Sequence, residues 1–139
     1  MPPDSESRIR YRKGLWSRRF SFIAAAGWSI LIWALLSIPG SNIPSGQIWS
    51  FDKVGHAGLF FMLALLCLNA VRDKHSRVLA GVIVAGILLA PLSEIYQGLL
   101  PIGRIADPYD ALADIAGFLA GMGFWLVASR AKNGESGDV

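Results

Sequence analysis

Internal disulfides are excluded at once, because the 139-residue chain holds a single cysteine, Cys67. The same scarcity removes any metal site built from cysteine pairs. Charge is also thin. Asp, Glu, Lys and Arg make up 17% of the residues, against roughly 25% in an ordinary soluble domain. There is no internal repeat, no low-complexity tract, no H-E-x-x-H zinc motif and no serine nucleophile signature. Hydrophobic residues are abundant, at 53%, and mean hydropathy is positive at +0.46. This composition points to a membrane protein of one domain.

Crossing the hydrocarbon layer takes about 20 mainly apolar residues. Four stretches meet that length, residues 20–38, 54–71, 78–100 and 108–129. The first, FSFIAAAGWSILIWALLSI, carries no charge. Its basic approach has the look of a signal peptide, but the apolar part exceeds the usual 7–15 residues. No small-x-small cleavage site follows it, so it reads as an uncleaved span. The connections are short, which makes neighbouring spans antiparallel. The expected fold is an all-α, integral membrane four-helix bundle over residues 20–129. A basic arm (residues 1–19) precedes it and a polar tail (residues 130–139) follows.

Lys and Arg set the expected direction. Eleven of the thirteen fall before the first span, between the second and third, or after the fourth. Only Lys53 and Arg104 lie on the other side. By the positive-inside rule both termini are cytoplasmic. The formal charge of +3 is thereby explained by topology and anionic lipid, and no nucleic-acid partner is expected. Trp16, Trp49 and Trp125 fall near span ends, as an aromatic belt requires. His75, in the basic connection, reads as solvated and Cys67 as a small core residue.

The remaining polar residues gather where spans begin and end on the outer side. Asp52, Lys53 and His56 open the second span. Glu94 and Gln97 occupy the outer part of the third. Arg104 and Asp107 lie in the connection, and Asp110 and Asp114 open the fourth. Asp107-Pro108 reads as a helix start, with Asp107 as N-cap and Pro108 at the first helical position. The helix dipole favours Asp110 in the first turn. Asp114, one turn deeper, lacks that support. Glu94 precedes Leu100 by six residues, about 9 Å of helix. An ionised acid at the bilayer centre costs at least about 2.5–3.5 kcal/mol, and somewhat less at these depths.

Helical spacing groups these residues. Lys53, His56 and Phe60 share a face of the second span, and Glu94 and Gln97 share one on the third. Asp110, Asp114, Gly117 and Gly121 line one face of the fourth, and the two glycines form a small-xxx-small patch for close helix packing. Pro91 leaves the carbonyl of Ile87 without its donor, so a kink is expected one turn below Glu94. The outer set holds Asp52, Glu94, Asp107, Asp110 and Asp114 against Lys53 and Arg104. Protons, a cation or a cationic ligand are needed to balance it, and His56 supplies one charge when protonated.

These residues resemble the VanZ-like family of small bacterial membrane proteins. The matching elements are SIPG, DKVGHAGLFFMLAL with Asp52, Lys53 and His56, SEIYQGLLPIGRIADPYD with Glu94, Gln97, Arg104 and Asp110, and DALADIAGFLAG with Asp110, Asp114, Gly117 and Gly121. Together they run from Ser37 to Trp125. The resemblance implies a multi-pass protein of the bacterial cytoplasmic membrane, in a family whose founding member is associated with low-level teicoplanin resistance. Where that family usually has Asn, this chain has Asp114, which adds an ionisable group.

Four readings of the polar set compete. The plainest is a structural tie, with Lys53 or Arg104 neutralising Glu94 and the aspartates. The functional reading is a binding site for an envelope amphiphile, either a lipid-linked intermediate or a lipoglycopeptide. In it Arg104 and Lys53 take anionic oxygens, and Asp110, Asp114 and Glu94 take cationic or hydroxyl groups. A membrane enzyme is the alternative. Glu94 or His56 would then act as acid or base, or His56 with Asp110, Asp114 and Glu94 would hold a divalent cation. Ser93 is set aside as a nucleophile, since it stands about 100° from Glu94 on a helix. Transport fits least, because four spans leave little room for a pathway. No cofactor is expected, and the oligomeric state is left open.

Overall fold

Hydropathy dictates helices here, because backbone N–H and C=O groups in lipid must be satisfied within each segment. The computed structural model describes residues 18–39, 48–71, 76–101, 103 and 105–134, and they follow that rule. Four helices run in order: α1 (Arg18–Leu36), α2 (Ile48–Val71), α3 (Ser76–Leu99) and α4 (Pro108–Gly134). Among the described residues there is no strand. Each helix is long and apolar enough to cross a membrane, over Arg19–Leu36, Asp52–Val71, Ser76–Leu99 and Pro108–Ala131.

Two boundaries differ most from the hydropathy reading. α2 begins at Ile48 and α4 continues to Gly134. Hydropathy registers where a segment is apolar, whereas a helix continues through polar residues until a breaker stops it. Asp52 and Lys53 therefore belong to α2 proper. α3 runs through Pro91 without interruption.

The bundle turns the soluble pattern inside out. Ile23, Ile30, Val84, Leu88, Leu119 and Phe124 are exposed, while Ser21, His56, Ser93, Glu94, Gln97, Asp110 and Asp114 are buried. A water-soluble protein buries the first kind and exposes the second. In lipid the exposed apolar surface costs nothing, and the acids gain by facing inward.

α2 is the hub. Its broadest contact is with α4, then with α1, and α3 packs on α4 and more narrowly on α2. The α2–α4 contact is close because of the glycines. A Cβ on Gly117 would collide with the backbone of Ala57, and one on Gly121 would press on the Phe61 carbonyl and the Ala64 side chain. Across α3 and α4, the ring of Phe118 lies against Gly86. Ile32, Leu36, Phe60, Leu63, Ala64, Leu68, Ala90 and Phe118 form the core.

Polar links fix the position of α1. The Trp28 indole N–H donates to the Leu59 carbonyl at 2.9 Å. Trp33 meets Tyr96 edge to face at 4.7 Å, and the Ser37 and Tyr96 hydroxyls pair at 2.9 Å. Near the start of α1, Asn69 Nδ2 donates to Ser21 Oγ at 3.1 Å. The α1 start therefore meets the α2 end, as antiparallel neighbours must. The start of α2, the end of α3 and the start of α4 meet at the opposite end.

Candidate functional site

α4 starts where Asp107 caps it. Asp107 Oδ1 accepts the Tyr109 N–H at 2.8 Å, which satisfies one of the orphan donors of a helix N-terminus. Its other oxygen, Oδ2, accepts from Lys53 Nζ at 3.0 Å. The Lys53 hydrogen bond, followed by that from Tyr109, holds the Asp107 carboxyl below its ordinary range. Lys53 also donates to Asp110 Oδ1 at 2.7 Å, with its ammonium 5.7 Å from the Tyr109 ring centre. One lysine from α2 thus ties down the cap and the first turn of α4.

The backbone of the same cap reaches α3. The Asp107 N–H donates to Glu94 Oε2 at 3.0 Å. Glu94 is only 4% exposed, and its second oxygen, Oε1, is buried with no hydrogen-bond partner among the described residues. A buried carboxylate oxygen left unpaired is costly, more so than an unpaired neutral group.

His56 occupies the centre. Its Nδ1 lies 3.1 Å from Asp114 Oδ1 and 3.9 Å from Glu94 Oε1. On the other side Nε2 lies 4.0 Å from Asp110 Oδ2, and Asp52, His56 and Asp110 offer ligand atoms within 4.8 Å of one another. The imidazole therefore stands between two pairs of carboxylates. Asp114 is fully buried at 0% exposure. Its Oδ2 lies 3.2 Å from Ser93 Oγ, whose single proton goes either there or to the Ala90 carbonyl at 2.6 Å.

Six of the residues singled out in the sequence, Asp52, Lys53, His56, Glu94, Asp110 and Asp114, meet at one end of the bundle. Gln97 is buried but faces α1, with Nε2 3.5 Å from the Leu36 carbonyl, at the limit of a hydrogen bond. Gly117 and Gly121 lie on the α4 face against α2. Arg104 falls outside the described residues, as do Trp16 and His75. The tie expected from Lys53 is present to the aspartates, and the share expected of Arg104 lies outside the described residues. Lys53 takes Asp107 and Asp110, and Glu94 receives a backbone N–H.

Ser93 is the residue that sequence reasoning set aside. Its 100° offset from Glu94 holds, but α3 buries both of them. The buried stripe Gly86, Ala90, Ser93, Glu94, Gln97 follows i, i+4, i+7, i+8, i+11, a small-and-polar pattern legible in the sequence. Asp107 was read as a cap, and its hydrogen bond to Glu94 through the backbone has no side-chain signal.

Among the described residues, five carboxylates thus gather with one ammonium and one imidazole inside a four-helix membrane bundle. Fold and site define a multi-pass membrane protein with an acidic cluster at one end. The chain belongs to the VanZ/LLP1 family, whose sequence model matches residues 7–129. No curated protein matches the chain, and no solved structure does so either.

Proposed function

We propose that this protein sits in the bacterial cytoplasmic membrane with both termini in the cytoplasm. Its acidic end then faces outward and binds the head group of an envelope amphiphile, a lipid-linked intermediate or a lipoglycopeptide. The distribution of Lys and Arg supports that direction. The observation that carries the binding reading is the buried carboxylate excess around His56 among the described residues, with Glu94 Oε1 unpartnered by any of them. A single cross-helix pair would suffice as a structural tie, and this cluster goes well beyond one. Because Lys53 is already bonded to two aspartates, the cluster suits a head group bearing an amine or hydroxyls better than one that is only anionic. In the cell, such binding would contribute to low-level antibiotic resistance or to envelope homeostasis.

The test is lipoglycopeptide susceptibility of a sensitive host expressing the intact chain or Glu94→Gln at equal membrane abundance. The intact chain is expected to protect, and Glu94→Gln to fall back toward the empty vector. Equal protection by the two, or none from the intact chain, would overturn the antibiotic reading.

A further inference from the structure

The geometry points to a divalent transition-metal site formed by His56, Glu94 and Asp114, one ligand from each of α2, α3 and α4. Their ligand atoms lie within 4.8 Å of one another, and all three residues are more than nine-tenths buried. Acidic residues gathered at a helix end would not suffice for this assignment. What sets this cluster apart is how each side chain is held.

Each candidate ligand turns one polar atom toward a common centre. Glu94 Oε2 accepts the Asp107 N–H at 3.0 Å, while Oε1 faces His56 Nδ1 at 3.9 Å with no hydrogen-bond partner among the described residues. Asp114 Oδ2 is approached by the Ser93 hydroxyl at 3.2 Å, while Oδ1 faces the same His56 nitrogen at 3.1 Å. His56 turns Nδ1 to this centre and Nε2 toward Asp110 Oδ2 at 4.0 Å. Metal-ligating histidines ordinarily donate their second ring N–H to a carboxylate or carbonyl, and ligating carboxylates are themselves hydrogen-bonded. Glu94 has such a support in the Asp107 N–H, Ser93 Oγ stands within reach of Asp114 Oδ2, and Asp110 faces the second ring nitrogen from beyond hydrogen-bond distance.

Spacing and charge agree. With bonds of about 2.0–2.2 Å, the ligand atoms of a tetrahedral ion stand about 3.3 Å apart. The 3.1 Å separation is already close to that value, and the 3.9 Å one needs only a small shift of Glu94. Two carboxylates and a neutral imidazole balance a dication, which matters where charge is poorly solvated. One nitrogen and two carboxylate oxygens suit Zn²⁺ or Mn²⁺ better than the soft Cu⁺ or the all-oxygen sites of Ca²⁺. The set on the other side of the ring, Asp52, His56 and Asp110, is less favoured. Asp52 is only partly buried, and Asp110 is committed through Oδ1 to Lys53. The site stands whether or not an amphiphile binds.

The test uses the full chain purified in detergent, stripped with chelator and re-equilibrated with Zn²⁺ or Mn²⁺. One ion per chain is expected, with a thermal stabilisation that EDTA reverses. The chain has two histidines, so pulsed EPR of the Mn²⁺ form should show coupling to a single histidine nitrogen that persists in His75→Ala. Glu94→Gln should weaken binding by more than about 100-fold, and Ser93→Ala by roughly 10–100-fold, with helix content unchanged. Should Glu94→Gln fail to fold, Ser93→Ala and the nitrogen coupling carry the decision. No ion above background, a coupling lost in His75→Ala, or full affinity in folded Glu94→Gln or Ser93→Ala would each overturn the site. Metal binding alongside unchanged susceptibility would keep it and reject the amphiphile reading.

Discussion

The two ends of this bundle are built from the same four helices by different means. At one end α1 begins beside the last turns of α2, where the buried side chains are mostly apolar and Asn69 meets Ser21. At the other, His56, Glu94, Asp110 and Asp114 are buried together and Lys53 bridges α2 to the cap of α4. Shape suffices for the first end, since van der Waals contact and close backbone approach drive helix association in lipid. Much more is specified at the second, where each buried charge needs its partner. Helix association alone does not call for such an expense, which is why the acidic end reads as the working part.

The comparison can be broken most severely in the seam common to both ends. Gly117→Val drives a side chain into the backbone of Ala57, which cannot move aside as a side chain would. A loss of more than about 3 kcal/mol is expected, visible as failure to purify as a single species in detergent. Gly123→Ala on the same helix, where nothing lies within 4 Å, should leave stability equal or raise it by up to about 1 kcal/mol.

Next come matched substitutions at the two ends. Lys53→Met strips Asp107 and Asp110 of their shared cation and is expected to cost about 1.5–3 kcal/mol. Asn69→Leu removes a neutral hydrogen bond and should cost about 0.6 kcal/mol, in the usual range for polar pairs between membrane helices. Equal losses, measured as unfolding free energy in one detergent, would erase the distinction between the ends.

The smallest effect is in acid. The Asp107 carboxyl is lowered from its ordinary 3.8, so between that value and its folded one the unfolded chain binds more protons. Its stabilisation is therefore complete above about pH 4 and is lost as pH falls further, through the folded value. Lys53→Met should flatten the acid limb of a stability–pH curve. An unchanged limb would show that the cap and the lysine act separately.

The spans were legible because a helix in lipid must be long and apolar, and short connections force antiparallel neighbours. The grouping of Lys53, His56, Glu94, Asp110 and Asp114 was legible from helical spacing at one end of three spans. Partner choice was not. Several acids share the outer end with one lysine in the sequence pattern, and only the folded geometry assigns it to Asp107 and Asp110. Ser93 was missed because a rule about neighbouring residues was applied where α3 buries a stripe wider than one position. The start of α2 and the end of α4 were misjudged because apolarity was taken as the limit of the helix.

The central claim is that α2 and α4 join through a buried contact between His56 and Asp114. A double-mutant cycle with His56→Phe and Asp114→Leu tests it most directly, because each single change strands a buried partner and the pair together strands less. A coupling of about 1 kcal/mol or more in unfolding free energy is expected. Additivity within about 0.3–0.5 kcal/mol, the behaviour of sites that do not touch, would contradict the account.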